Sequence, residues 1–194
     1  MRNILSGAIR IVFVLAVLLS FQPAYGGTMH ILTFGDSLTA GYGLSAKDSF
    51  AAKLEKRLLD RGYQVRVTNA GISGDTSGGG RSRLAWSLQD KPDLVILELG
   101  ANDGLRGLDP AKMQENLEAI IADCQRIGAR IILAGMRSPV NWGPAYRQNF
   151  EAVFPALANR YKLPLYPFCL EGLITDTSLV QEDGLHLTAI KKKK

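Results

Sequence analysis

The segment Met29-His30-Ile31-Leu32-Thr33-Phe34-Gly35-Asp36-Ser37-Leu38 decides how this chain is expected to fold. It begins with an apolar run, Met29 to Phe34, which is typical of a strand buried within a sheet. The run ends abruptly in Gly35-Asp36-Ser37, a tight polar turn in which glycine permits close approach of the backbone. A serine on a turn that follows a buried strand is a candidate nucleophile.

Short apolar runs alternate with longer amphipathic segments along the rest of the chain. Strand and helix in regular succession predict an α/β fold, with a parallel sheet covered by helices on both faces. No repeat or linker interrupts the pattern, which favours one domain. The predicted strands are Met29–Phe34, Tyr63–Thr68, Asp93–Leu99, Arg130–Met136 and Leu163–Phe168, and the predicted helices are Asp48–Arg61, a segment from Asp109 to Gly128, and Pro144–Tyr161.

Residues 1–26 are predicted to be a signal peptide that does not belong to this domain. Arg2 and Arg10 precede an apolar stretch from Ile11 to Phe21, and the small residues in Ala24-Tyr25-Gly26 suit a signal peptidase. The stretch is too short for a stable transmembrane helix, so a permanent anchor is the weaker alternative. We therefore expect cleavage near Gly26 and export to the periplasm or the medium, with no membrane span left in the mature protein.

The chain carries a formal net charge of +5, which by itself would suit a nucleic-acid-binding protein. Six of its basic residues lie at the ends, however: Arg2, Arg10 and the tail Lys191–Lys194. Without those six the charge is −1, so the domain, residues 27–190, has no excess of positive charge with which to neutralise phosphates. Nucleic acid is therefore not an expected partner.

Neither a metal site nor a disulfide is predicted. A zinc site needs three or four clustered ligands, and the sequence offers only His30, His186 and two separate cysteines. Cys124 lies late in a predicted helix and Cys169 follows the last predicted strand, so two free thiols are favoured over a bridge. No metal and no organic cofactor is expected.

Polar residues follow several of the predicted strands. Gly35-Asp36-Ser37 comes after the first strand, Asn69–Thr76 after the second and Gly100–Gly104 after the third, while Asp183 and His186 lie near the C-terminus. Ligands of parallel α/β sheets bind beyond the carboxyl ends of the strands, so we look for a site where these segments meet.

Ser37 and His186 are the predicted nucleophile and base. A serine hydroxyl becomes nucleophilic when an imidazole takes its proton and a carboxylate orients that imidazole. His30 is interpreted as a residue at the end of the first strand, which leaves His186 as the base. Asp183 precedes His186 by three residues, and one turn can hold the two side chains together.

Three hydrogen-bond donors are available for the oxyanion that acyl transfer generates: the backbone N–H groups of Ser37 and Gly74, and the side-chain amide of Asn102. Three of the four segments also have a plainer interpretation, because Gly-Asp-Ser is a common turn, Gly100–Gly104 could be only a polar loop and Asp183–His186 a surface turn. Glycines 78 to 80 are not followed by Lys-Ser/Thr, which excludes a P-loop. The joint occurrence of all four segments, in this order, favours a catalytic site.

These segments resemble the GDSL or SGNH hydrolases and, among them, the exported bacterial acyl-thioesterase, arylesterase and lysophospholipase group. The matching blocks are Phe34–Gly43, Asn69–Thr76, Leu97–Gly107 and Asp183–His186. The resemblance implies a three-layer, flavodoxin-like fold with a five-stranded parallel sheet. It also implies that Ser37, Asp183 and His186 are catalytic, that Ser37, Gly74 and Asn102 form the oxyanion hole, and that Pro139, Trp142 and Tyr146 add apolar surface to an acyl-binding wall.

The chain departs from the family pattern in two places. Where the family commonly has His-Pro-Asn, this chain has His186-Leu187-Thr188 and few residues after it. We expect the final helix that normally packs on the sheet to be missing, which affects the seating of His186. Ser138 is the second departure, because relatives often carry a larger apolar residue at this place in the acyl-binding loop.

The sequence therefore predicts an exported serine esterase that acts through an acyl-enzyme on Ser37 and is monomeric. Its expected substrates are small-molecule or lipid esters, namely aryl esters, lysophospholipids and, when offered, acyl thioesters. Two alternatives remain open. One is a carbohydrate O-deacetylase with the same site, and the other is a binding protein that has lost activity through its altered C-terminus.

Overall fold

The computed structural model describes residues 27–189, which place a sheet between two layers of helices. The predicted signal peptide, residues 1–26, and the lysine tail, residues 191–194, lie outside the described residues. The domain boundaries and the missing final helix stay predictions. None of the helices within residues 27–189 combines the length and the apolar character that a membrane span requires.

The sheet contains five parallel strands, as predicted for an α/β fold: β1 (Met29–Gly35), β2 (Val65–Gly71), β3 (Leu94–Glu98), β4 (Arg130–Ala134) and β5 (Leu165–Tyr166). Their order in the sheet is β2-β1-β3-β4-β5. The chain moves outward from β1 to β2 and then returns past β1 to β3, so the connections that leave β1 and β3 diverge. Such a switch in direction opens a crevice at the carboxyl ends of the two strands.

Helices cover both faces of this sheet because successive strand residues point to opposite sides. The helices are α1 (Ser37–Ala40), α2 (Phe50–Leu59), α3 (Ser77–Ser87), α4 (Ala101–Leu105), α5 (Pro110–Arg126) and α6 (Gly143–Tyr161), with 3-10 turns at Ala46–Asp48, Val140–Trp142 and Thr177–Leu179. Leu32 and Phe34 face one side of the sheet, where three of the long helices, α3, α5 and α6, pack. Ile31 faces the other side, where α2 packs.

The segment after β2 differs from the sequence prediction in two ways. The strand continues to Gly71 instead of ending at Thr68, and helix α3 begins at Ser77, where no helix was predicted. Three consecutive glycines within α3 lower the local helix propensity, so the sequence does not predict this helix. Tertiary packing explains the helix, because a Cβ on Gly80 would lie 2.4 Å from a methyl group of Leu99. Gly80 thus allows α3 to lie close to the sheet.

Gly80→Ala is expected to destabilise the protein, although alanine is the better helix former. The added methyl group would overpack the core against Leu99 and Phe34, at a cost of about 1–3 kcal/mol. Gly78→Ala is the matched control, because a Cβ there meets only ordinary contacts, the nearest at 3.5 Å, and should be neutral or stabilising by up to about 1 kcal/mol. Thermal unfolding of both variants tests this pair, and equal melting temperatures would contradict it.

The other histidine, His30, and Cys124 lie outside the crevice between β1 and β3, whereas Cys169 lies near enough to Glu98 and Asp36 for their charges to act on its thiol. His30 is buried near the start of β1, at the other end of the strand from Ser37, with its Nε2 2.8 Å from Oγ1 of Thr68. Cys124 is buried, Cys169 is half-buried, and both are free thiols. None of these residues competes with His186 for the role of base.

Candidate active site

Ser37 is the first residue of α1, directly after the end of β1. Asp36 caps this helix, because its Oδ1 accepts a 3.0 Å hydrogen bond from the backbone N–H of Leu38. The turn is close to the neighbouring strand: a Cβ on Gly35 would lie 2.4 Å from the backbone oxygen of Glu98 and 2.5 Å from its Oε2. Only glycine fits at position 35, and its absence of a side chain lets the turn present Ser37 at the edge of the sheet.

The structure brings the side chains of Ser37, His186 and Asp183 into one hydrogen-bonded chain. Oγ of Ser37 lies 2.7 Å from Nε2 of His186, and Nδ1 of His186 lies 2.6 Å from Oδ2 of Asp183. Oδ1 of Asp183 accepts the backbone N–H groups of Leu185 and His186. The backbone and ring hydrogen bonds from His186 are the main cause that lowers the pKa of Asp183 to about 2, so this carboxylate is ionised at neutral pH.

Gln181 holds the segment that carries His186 against the turn after α1. Its side-chain amide donates to the backbone oxygens of Tyr42 and Leu187, and its backbone N–H donates to the oxygen of His186 at 2.7 Å. The ring of Tyr42 contacts the imidazole with a centroid separation of 4.6 Å. His186 is therefore seated by hydrogen bonds within residues 177–189 and by contacts of this stretch with Tyr42, although no α-helix lies in it.

Asn102 lies in the first turn of α4, directly beyond the carboxyl end of β3. Its Nδ2 donates a 3.2 Å hydrogen bond to Oδ2 of Asp36, so the residue before Ser37 is joined to the predicted oxyanion donor. The following residue, Asp103, accepts hydrogen bonds from both the backbone N–H and the hydroxyl of Ser77. These bonds fix α4 to the start of α3.

Gly74 lies in the loop between β2 and α3, with a left-handed φ of 82°. Nη2 of Arg106 donates a 2.8 Å hydrogen bond to the backbone oxygen of Gly74, and the backbone N–H of Arg106 donates to the oxygen of Asn102. The loop with Gly74 and the helix with Asn102 are thereby tied together. The structure thus gathers all the residues predicted to be catalytic or to form the oxyanion hole at one edge of the sheet.

Arg83 is a site residue that the sequence reading missed. Its guanidinium pairs with Asp75 at 2.6 Å, donates to the backbone oxygens of Ala70 and Gly35, and lies 4.2 Å from the centre of the Phe34 ring. It connects the turn before Ser37 with the loop that follows Gly74. Arg83 belongs to α3, so a prediction of that helix would have placed Arg83 near the site.

Two buried carboxyl groups lie beneath the nucleophile, and the sequence reading gave neither of them a role. Asp36 is 0% exposed and Glu98 is 4% exposed, and Oε2 of Glu98 accepts a 2.6 Å hydrogen bond from the hydroxyl of Thr39. Burial raises the pKa of Asp36 to about 6, while burial and the neighbouring Asp36 raise the pKa of Glu98 well above its usual range. An acidic residue inside an otherwise apolar strand was the visible signal for Glu98.

Pro139, Trp142 and Tyr146 lie against the segment that follows Asn102. Nε1 of Trp142 donates to the backbone oxygen of Gly104 at 2.9 Å, and the hydroxyl of Tyr146 donates to the backbone oxygen of Leu108 at 2.8 Å. Trp142 remains 44% exposed, so it combines a support for this segment with apolar surface beside the site. The role of these three residues in acyl binding stays a prediction.

No group of three or more His, Cys, Asp and Glu side chains within residues 27–189 is arranged to hold a metal ion. The side chains of Ser37, His186 and Asp183 instead form a chain of hydroxyl, imidazole and carboxylate, flanked by neutral donors. Such an arrangement can activate an alcohol and stabilise an oxyanion without a cofactor.

Two named relatives match most of this chain. Esterase TesA of Pseudomonas aeruginosa is 45% identical over 173 residues, which cover 89% of this chain and 85% of that protein. Thioesterase 1/protease 1/lysophospholipase L1 of Escherichia coli (strain K12) is 40% identical over 175 residues, covering 90% and 82% of the two chains.

Solved structures show the same fold. The crystal structure of AlinE4, an SGNH-hydrolase family esterase, superposes with a TM-score of 0.79 and 46% sequence identity, covering 86% of this chain and 89% of that one. The crystal structure of TesA gives a TM-score of 0.79 with 44% identity, covering 83% and 90%. The predicted SGNH hydrolase fold is confirmed. Residues 33–190 match the family described as GDSL-like Lipase/Acylhydrolase, and the chain belongs to that family.

Proposed function

We propose that this protein is a serine esterase that hydrolyses carboxylic esters through an acyl-enzyme on Ser37. The observation that carries the proposal is the continuous chain from Oγ of Ser37 through the imidazole of His186 to the carboxylate of Asp183. This order of groups lets the imidazole take the hydroxyl proton while the carboxylate stabilises the charge that forms on the ring. Relatives named as esterase, arylesterase and lysophospholipase support the same reaction class.

Acylation follows from these contacts. Oγ of Ser37 attacks the acyl carbon of the ester as Nε2 of His186 takes the hydroxyl proton, and a tetrahedral oxyanion forms. The backbone N–H groups of Ser37 and Gly74 and the side-chain N–H of Asn102 are the donors for this oxyanion. Each is an uncharged group on a fixed backbone, so little reorganisation accompanies the build-up of negative charge.

Collapse of the oxyanion breaks the ester bond, and His186 returns its proton to the departing alcohol. Water then attacks the acyl-enzyme, with the imidazole again as the base, and the carboxylic acid leaves as Ser37 regains its proton. Proton transfer passes through Nε2 of His186 in both halves. The same sequence of steps cleaves a thioester, in which the leaving group is a thiol.

The acyl group is proposed to lie along the surface formed by Pro139, Trp142 and Tyr146. Exposed apolar side chains lie beside these residues in the chain, including Val140 at 78% exposure and Leu105 and Leu108 in the neighbouring segment. Removal of apolar surface from water contributes about 25 cal/mol per Å², which favours an acyl chain longer than acetyl. If residues 1–26 direct export, lipid esters such as lysophospholipids and other simple acyl esters are its natural substrate class, because acyl-CoA thioesters are scarce outside the cytoplasm.

Labelling of Ser37 by a fluorophosphonate tests this function without knowledge of the natural ester. We expect covalent labelling of the purified protein and hydrolysis of p-nitrophenyl esters, with a larger kcat/KM for medium acyl chains than for acetate. A sharp preference for acetate would instead support the carbohydrate O-deacetylase. Absence of both labelling and turnover in a folded sample would contradict the proposal and support a binding protein.

A further inference from the structure

The side chain of Asn102 has a donor end and an acceptor end, and Asp36 contacts only one of them. We propose that Asp36 is a positioning residue that fixes the direction of the Asn102 amide, so that an N–H of this amide, and not its oxygen, faces the reacting carbonyl. The proposal rests on the proposed esterase function and concerns how one of its oxyanion donors is oriented.

The two carboxylate oxygens of Asp36 have different partners. Oδ1 accepts the backbone N–H of Leu38 at 3.0 Å, and Oδ2 accepts Nδ2 of Asn102 at 3.2 Å. Within residues 27–189 the Asn102 side chain makes no other hydrogen bond. An ionised carboxylate can only accept, so it selects the NH₂ end of the amide. That end has a second hydrogen, which is left to donate to an oxyanion.

The surroundings hold the Asp36 side chain in place and exclude water from its carboxylate. Asp36 is completely buried, and Gly35 before it packs onto Glu98, its partner in the register of β1 and β3. Glu98 is the more readily neutralised carboxyl of the pair, because its pKa is raised by both burial and the nearby Asp36. Asp36 is therefore the carboxyl that carries the negative charge toward Asn102.

Asp36→Asn separates this role from simple packing because the two side chains have the same shape. Asparagine is as good a helix cap as aspartate, and its oxygen can still accept the N–H of Leu38. The introduced NH₂ group then faces the NH₂ of Asn102, and the conflict is relieved when the Asn102 amide turns over. The amide oxygen would then point at the oxyanion, which removes one donor and adds repulsion.

The expected result for Asp36→Asn is a fall in kcat of about a hundredfold to a thousandfold, the effect of losing an oxyanion donor, with little change in KM. Asp36→Ser is the matched control. Serine is smaller than aspartate but still caps the helix. Its hydroxyl can donate or accept, so no obligatory N–H donor faces the NH₂ group of Asn102. We therefore expect the smaller side chain to retain more activity than the isosteric one. The opposite ranking would indicate a packing role and overturn the proposal.

A double-mutant cycle with Asn102→Ala measures the coupling directly. If Asp36 acts through Asn102, Asp36→Asn lowers kcat/KM by no more than about twofold when Asn102 is already alanine. A change of that size is within the range by which the effects of independent mutations deviate from additivity. Equal losses in both backgrounds would overturn the proposal. Should Asp36→Asn fail to fold, as judged by circular dichroism, Asp36→Ala replaces it in the same cycle, and the same criterion applies. Hydrolysis by the unmodified protein is measured in parallel, so that failure of the esterase function itself is recognised separately.

Discussion

Ser37→Ala is expected to abolish ester hydrolysis, with a loss in kcat of roughly 10⁵-fold to 10⁶-fold, as in other serine hydrolases whose nucleophile is removed. The hydroxyl of Ser37 is the group that lies 2.7 Å from Nε2 of His186, and alanine leaves the imidazole with no proton to take. Turnover of p-nitrophenyl esters measures the loss. Circular dichroism should be unchanged, because the side chain is half-buried at the edge of the sheet and Asp36 still caps α1.

Ser82→Ala is the matched control for this variant. Ser82 is an exposed serine on α3 whose hydroxyl donates to the backbone oxygen of Gly79, away from the hydrogen-bonded chain of Ser37. Its replacement should leave both turnover and fluorophosphonate labelling intact. Ester hydrolysis retained by Ser37→Ala would remove the acyl-enzyme mechanism altogether.

Asp183→Asn is expected to lower kcat by about 10⁴-fold with the fold intact. Oδ1 of Asp183 accepts two backbone N–H groups, which will hold the oxygen of the introduced amide in the same place. The NH₂ group then faces Nδ1 of His186, so that Nδ1 must accept and the ring proton moves to Nε2. An imidazole with its proton on Nε2 cannot take the proton of Ser37.

Glu182→Gln provides the comparison for this second variant, because Glu182 is the exposed neighbouring acid, while the side chain of His186 is bonded to Asp183 and Ser37. Full activity is expected there. Raising the pH should not restore the negative charge in Asp183→Asn, because an amide, unlike the carboxyl that it replaces, does not ionise. A loss below about tenfold would show that the carboxylate neither orients nor stabilises the ring.

The strands and three of the four long helices within residues 27–189 could be predicted because hydrophobic periodicity is a local property of the sequence. The helix from Pro110 begins where Asp109 and Pro110 predict it, with Oδ1 of Asp109 accepting the N–H of Ala111. Helix α3 could not be found in this way. Its glycines lower the local helix propensity, and their purpose, close approach to the sheet at Gly80, lies in contacts with Leu99 and Phe34 that are remote in sequence.

The candidate site likewise combines residues that the sequence predicts with contacts that it does not. Residue type, local spacing and the position of Ser37 after a predicted strand identified Ser37, Asp183 and His186 as candidates, and the small number of histidines limited the choice of base. The couplings among site residues were not visible: the salt bridge of Arg83 with Asp75, the buried pair Asp36 and Glu98, and the contact from Asp36 to Asn102.

By itself, the sequence determined that five strands would form a parallel sheet and that a serine, an aspartate and a histidine were available for acyl transfer. Only the tertiary structure decided which atoms meet, because Ser37 and His186 are 149 positions apart and Asp36 and Asn102 are 66 apart. Hydrogen bonds act over about 3 Å, and chain order carries no information on that scale until packing has set the distances.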